Sequence, residues 1–169
     1  TSATENNVQL SFAYELDGSM TYRPVDAASG WTQIWNGENR MVETHKGNDR
    51  LTFKYDYMGR RVEKCVFSGN TLTAKTLFVY DGFKCVEELD ALNNNTVVMR
   101  HIWQPFDVGL DVILATIDNN QTMFFLHDAN KNVIQKITMF HMLQDICTYI
   151  PFGNVINFSN MHIAFSSEF

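Results

Sequence analysis

The sequence predicts an all-β chain built as an array of antiparallel β-hairpins. Three observations carry this. Aromatic residues alternate with other residues over short stretches. Asp or Asn follows each such stretch, usually with Gly close behind. The unit then returns at intervals of roughly 20–25 residues, a spacing typical of repeat architectures.

Taken in chain order, the first copy is Phe12-Ala13-Tyr14 followed by Leu16-Asp17-Gly18-Ser19-Met20. The second runs Trp31-Thr32-Gln33-Ile34-Trp35-Asn36-Gly37-Glu38-Asn39-Arg40. The cleanest is Phe53-Lys54-Tyr55-Asp56-Tyr57-Met58-Gly59-Arg60-Arg61-Val62. Phe78-Val79-Tyr80-Asp81-Gly82 follows. Weaker copies are His101-Ile102-Trp103-Gln104-Pro105, Phe125-Leu126-His127-Asp128 and Thr148-Tyr149-Ile150-Pro151-Phe152-Gly153. Alternation places Phe53, Tyr55 and Tyr57 on one face of a strand. Asp or Asn bonds nearby backbone and opens a turn, and Gly supplies the positive φ such turns need, so Gly59 and Gly82 are expected there. Tyr55, Tyr80 and Trp103 are expected at equivalent positions on one face. Polar clusters at His45–Asp49, Ser68–Asn70, Asn93–Asn95 and Asp118–Asn120 stand where a second turn returns the chain. The count is roughly six or seven hairpins. The best helical window, Ile134 to Ile146, lacks a good cap at either end and does not displace the β reading.

Composition narrows the function. The chain has 169 residues, a net charge of -6, 45% hydrophobic and 13% aromatic residues, which suits one domain or one piece of a larger one and excludes a disordered chain. Its 13 Lys and Arg are scattered, so no basic patch marks it for nucleic acid. Cys65, Cys85 and Cys147 form no CxxC pair and read as reduced thiols. No signal peptide stands out, and no apolar run approaches the ~18 residues of a membrane span.

The recurring residues resemble the RHS/YD-repeat family. Tyr55-Asp56-Tyr57-Met58-Gly59-Arg60 is similar to the family's Tyr-Asp-x-x-Gly-Arg unit. Asn36-Gly37-Glu38-Asn39-Arg40-Met41 resembles a common variant, and Val79-Tyr80-Asp81-Gly82 a late-array copy. Leu126-His127-Asp128-Ala129-Asn130-Lys131-Asn132-Val133 is similar to Leu-His-Asp-x-x-Gly-Asn-Val. Tyr149-Ile150-Pro151-Phe152-Gly153-Asn154-Val155 resembles Tyr-Asp-Pro-Phe-Gly-x-Val. The motif set is therefore Tyr14, Asp17, Gly18, Trp35, Gly37, Arg40, Tyr55, Asp56, Gly59, Arg60, Tyr80, Asp81, Gly82, Trp103, His127, Asp128, Tyr149, Pro151 and Gly153. Lys131 departs from the family's Gly and Ile150 from its acid. Thr138 to Cys147 replaces a polar turn with Met139-Phe140-His141-Met142-Leu143, which separates a hairpin array over 1–137 from a divergent terminal hairpin region over 138–169.

The resemblance implies a curved sheet or part of a spiral β-shell. Such shells enclose a C-terminal toxin in bacterial polymorphic toxins and toxin complexes, and a similar shell displays an adhesion surface in teneurins. The implied partners are the rest of the chain's own shell and an enclosed C-terminal segment, with carbohydrate as a further candidate and neither nucleic acid nor a membrane span. Family members are exported or sit at the cell surface. The family's self-cleaving aspartates have no match here, and the chain stops on the approach to that segment. Ile163, Phe165 and Phe169 alternate without a closing cap, so the isolated chain is expected to expose a sheet edge and self-associate.

Residues that tempt a catalytic reading have plainer roles. His127 and Asp128 point to opposite faces of a strand, and Asp128 reads as a turn opener. Asp107 and Asp111 flank Gly109 and cap turns. His101, His141, His162 and Cys147 lack metal-ligand spacing. Arg60 suits stacking on an aromatic ring. No cofactor loop and no nucleophile–base pair is present, so no enzymatic activity is expected. The aromatic ladder reads as shell core, with an adhesin binding sugar or protein as the competing reading.

Overall fold

The computed structural model describes residues 2–5, 8–26, 28–105, 112–118, 121–138, 142–149 and 155–164. Every regular element among them is a strand, and none is a helix able to cross a membrane. The chain forms two compact units, Thr1–Phe78 with Asp90–Thr96, and Val79–Leu89 with Val97–Phe169.

In the first unit, β1 (Ser2–Glu5) and β2 (Val8–Ser11) pair alone. Then come β3 (Ala13–Tyr14), β4 (Met20–Pro24), β5 (Gly30–Trp35), β6 (Met41–Lys46), β7 (Asp49–Tyr55), β8 (Arg61–Ser68) and the first part of β9 (Thr71–Asp81). From β4 onward each pairs antiparallel with the one before it, and β3 forms the edge. The second unit holds the end of β9, β10 (Lys84–Asp90), β11 (Thr96–Trp103), β12 (Ile113–Asp118), β13 (Thr122–His127), β14 (Val133–Thr138), β15 (Met142–Tyr149) and β16 (Val155–Ala164). From β11 to β16 every neighbour is again antiparallel and in chain order. The array of antiparallel hairpins is therefore the fold.

The helical window resolves into strands. Gln135 pairs with Ile146 and Lys136 with Asp145, so Ile134 to Ile146 spans parts of β14 and β15. Without caps the apolar residues had no helix to stabilise, and pairing satisfies the backbone instead. Pairing continues from β15 to β16, so the backbone keeps the hairpin pattern beyond Thr138.

Burial is shallow. Among the described residues the buried apolar side chains are Leu10, Phe53, Cys65, Val112 and Ala115, and most strand positions are half-buried. Cross-strand pairs and turns thus carry much of the stabilisation. On β8, Glu63 takes Lys54 at 2.8 Å and Lys75 at 2.9 Å, one from each neighbouring strand. The lysine hydrogen bonds hold its carboxyl below the usual range. Arg50 lies 3.9 Å from the Phe67 ring centroid, and Arg61 lies over both Phe53 and Phe78 at 5.4 and 5.1 Å. Each arginine spreads a flat cation over aromatic rings of the sheet.

The two ends of the strands turn differently. Lys46 pairs with Asp49 and Ser68 with Thr71, leaving tight two-residue turns whose glycines, Gly47 and Gly69, both have φ of 58°. The opposite end carries the aromatic-Asp motifs.

Candidate functional site

The motif residues build a repeated corner. Glu15, Asn36, Asp56 and Asp128 open four copies of it. In each, the opening residue's amide donates to the carbonyl four residues on, at 2.8, 2.9, 2.9 and 3.0 Å. The amides of Gly18, Asn39, Gly59 and Lys131 donate back to the opening carbonyls at 3.1, 3.0, 3.0 and 3.0 Å. Closing the first bond takes the left-handed region at the residue before the accepting carbonyl, and φ is 92°, 57°, 80° and 65° at Gly18, Asn39, Gly59 and Lys131.

The acidic or amide side chain locks the loop. Asp56 Oδ1 accepts the amides of Met58 and Arg60, both at 2.9 Å, while Oδ2 takes the Arg60 guanidinium at 2.7 Å. Asn36 Oδ1 accepts from Glu38 and Arg40 at 3.0 Å each. Asp128 Oδ1 accepts from Asn130 at 2.8 Å and Asn132 at 2.9 Å, and the Asn132 amide donates to Oδ2 at 2.9 Å. Desolvation pushes the Asp56 carboxyl up, but hydrogen bonds and charge from Arg60 and the Met58 amide outweigh it and leave it below the usual range. At Asp128 the Asn132 side-chain bond leads the lowering. Asp128 thus bonds backbone amides, as expected of a turn opener.

Each corner also carries a β-bulge. Register shifts by one residue at Ala13/Tyr14, Ile34/Trp35, Lys54/Tyr55, Ile102/Trp103, Leu126/His127 and Thr148/Tyr149. The skipped residues are Thr21, Val42, Val62, Leu114, Ile134 and Ile156. Five are aliphatic and one is Thr, types that suit a pleated, half-buried surface. Repeated bulges increase strand twist at the same place in every unit.

The aromatic residue before the corner ties one repeat to the next. Trp35 Nε1 donates to the Met20 carbonyl at 2.7 Å, and Tyr55 Oη to the Met41 carbonyl at 2.8 Å. Trp103 Nε1 donates to the Cys85 carbonyl at 2.7 Å. Met20 and Met41 are the first strand residues after the preceding corner. Arg40 reinforces the tie: its guanidinium lies 5.8 Å from the Tyr55 centroid and against Gly59, where a Cβ would sit 2.6 Å from its Nη2.

Two motif assignments are corrected by this alignment. Glu15, not Asp17, takes the corner-opening place in the first copy; Asp17 accepts only the Ser19 amide, at 3.0 Å. Gly37 does not supply the left-handed turn of the second copy; Asn39 does. Gly18 and Gly59 take the left-handed place of their corners, and Arg60 grips Asp56. Gly82 has φ of 57° but lies directly after Asp81, in a shorter corner between β9 and β10. Tyr80 precedes that corner.

Trp103 opens a longer loop, held at its base by the Gln104 amide on the Val112 carbonyl at 3.0 Å. His127 fills the aromatic place, with Nε2 buried and unbonded. Tyr149 pairs with Val155 across a span of the same length as the clean corners, though its side chain, Pro151 and Gly153 lie outside the described residues.

Asp107, Asp111, His141, the His162 side chain and the Cys147 side chain also lie outside them. His101 Nε2 bonds Glu88 Oε1 at 3.0 Å. Cys65 and Cys85 are free thiols, and no metal-binding cluster occurs among the described residues.

Chain-ordered pairing, bulged corners and aromatic ties define a hairpin-repeat β-sheet. The structure described as "Crystal Structure of TcdB2-TccC3-TEV" is similar to this chain with a TM-score of 0.52 and 13% identity, over 92% of this chain and 9% of that one. The likeness shows a shared fold, and this chain spans a small fraction of that protein's length. No protein-family model matches the chain, and neither does any curated protein.

Proposed function

We propose that the chain is a non-enzymatic stretch of β-hairpin wall in an RHS/YD-type shell enclosing a C-terminal polypeptide. The observation that carries this reading is the repeated corner. Its polar groups are spent on closing turns and its aromatic groups on tying each turn to the one before. Asp56, Arg60 and Asp128, the residues best placed for chemistry, are engaged in this way. The fold likeness to the TcdB2-TccC3 structure is consistent with the same reading. A wall of such units gains length by repetition, because each hairpin satisfies its strand edges by pairing with its neighbours.

Limited proteolysis of the parent polypeptide tests this. Its C-terminal segment should resist digestion while the corners are intact and become sensitive when Tyr55→Ala and Trp103→Ala open two ties. Digestion of that segment at the rate of the free segment would remove the container reading.

A further inference from the structure

The first unit has a depression unrelated to the corners. Arg23, Trp31, Gln33, Met41, Thr44 and Leu51 line a cavity of about 330 Å³. The register puts them on one face: Arg23 pairs with Trp31, Gln33 with Thr44, and Thr44 with Leu51. Trp31, Met41 and Leu51 make its apolar walls. Thr44 Oγ1 is already donated to the Thr32 carbonyl at 3.0 Å. Two groups remain unsatisfied. Gln33 Oε1 is buried without a hydrogen-bond partner. Arg23 has no ion-pair partner among the described residues. The Lys46 ammonium, 5.8 Å from the Trp31 centroid, adds positive charge beside it, partly answered by Asp26.

We infer that this depression binds an extended polypeptide segment presenting a large apolar side chain next to a carboxylate. The apolar side chain enters among Trp31, Met41 and Leu51. The carboxylate meets Arg23. Positive charge from Arg23 and Lys46 beside the apolar side chains of Trp31, Met41 and Leu51 favours a carboxylate-bearing peptide over a neutral sugar. The inference rests on the container reading, since the enclosed polypeptide would be the natural occupant.

The test is a nuclear magnetic resonance titration of the isotope-labelled 169-residue chain with the peptide acetyl-Gly-Leu-Glu-Gly-amide. The Trp31 indole and Gln33 side-chain amide signals should shift with saturable binding. Replacing the peptide's Glu by Gln, or making Arg23→Gln, should weaken binding about tenfold, as for loss of a charge-assisted hydrogen bond. The Arg23 site is exposed, so that variant should keep its fold, which its amide spectrum verifies. No shift up to millimolar peptide, equal binding of the Gln peptide, or shifts from glucuronate but not from the peptide would each overturn the inference. Those results leave the protease test of the container reading unaffected, so the two can fail separately.

Discussion

The corners at 56–60 and 128–132 make the same hydrogen bonds with different residues in the demanding places. The first has Gly59 in the left-handed region, Arg60 gripping Asp56, and Tyr55 tied to the preceding corner through Met41. The second has Lys131 at φ 65°, Asn132 in place of the arginine, and His127 with its Nε2 buried and unbonded. The difference separates what the corner requires from what merely improves it. The two backbone hydrogen bonds, the left-handed fourth residue and the bulge are present in both. The glycine, the arginine and the aromatic tie are refinements that the second copy lacks. It follows that the second corner should be the weaker one, and mutations can sharpen or break that ranking.

The largest effect is expected at the tie. Tyr55→Ala should cost about 3 kcal/mol, combining a large aromatic truncation with a lost hydrogen bond, whereas His127→Ala should cost about 1 kcal/mol or less. Urea unfolding monitored by fluorescence compares them, and equal losses would erase the distinction. Next comes the turn residue. Gly59→Val should cost more than about 1 kcal/mol, because a β-branched residue resists positive φ and the new Cβ meets Arg40. Lys131→Gly should instead stabilise by about 0.5–1 kcal/mol, because Lys pays for a conformation that Gly adopts freely. His127→Tyr should supply the missing donor and gain about 1 kcal/mol, read as a raised denaturation midpoint.

The smallest effect is on acid stability. Asp56, Asp128 and Glu63 all titrate below their ordinary values in the folded chain. A depressed carboxyl contributes stability above its unfolded pKa and loses it as pH falls through its folded pKa. Stability should therefore be flat near neutrality and decline below about pH 5. Asp56→Asn and Asp128→Asn should each shallow that decline, with Asp56→Asn also losing the Arg60 ion pair. A variant as acid-sensitive as the parent would contradict the roles given to these carboxylates.

Much of this was legible in the sequence, and the misses have physical causes. Aromatic alternation followed by Asp-x-x-Gly located the 56–60 corner and its left-handed glycine. Asn36-Gly37 drew attention to the wrong residue because Asn39 tolerates the left-handed region that glycine usually signals. Asp17-Gly18 misled similarly: Glu15 opens that corner through its backbone, where side-chain identity leaves little trace. Bulges at Val42, Val62 and Ile134 are features of pairing register, which alternation along a single strand does not encode. The depression at Trp31 was invisible for the same reason, since its walls come from β4, β5, β6 and β7 and meet only through cross-strand register.

Amide hydrogen exchange at the corners tests the central claim most directly. If one bonded corner repeats along the chain, the amides of Asn36, Asn39, Asp56, Gly59, Asp128 and Lys131 should all be protected, with those at 128 and 131 exchanging faster than those at 56 and 59. Unprotected amides at Asp128 and Lys131 alongside protected ones at Asp56 and Gly59 would contradict it, because the second corner would then share the motif but not the structure.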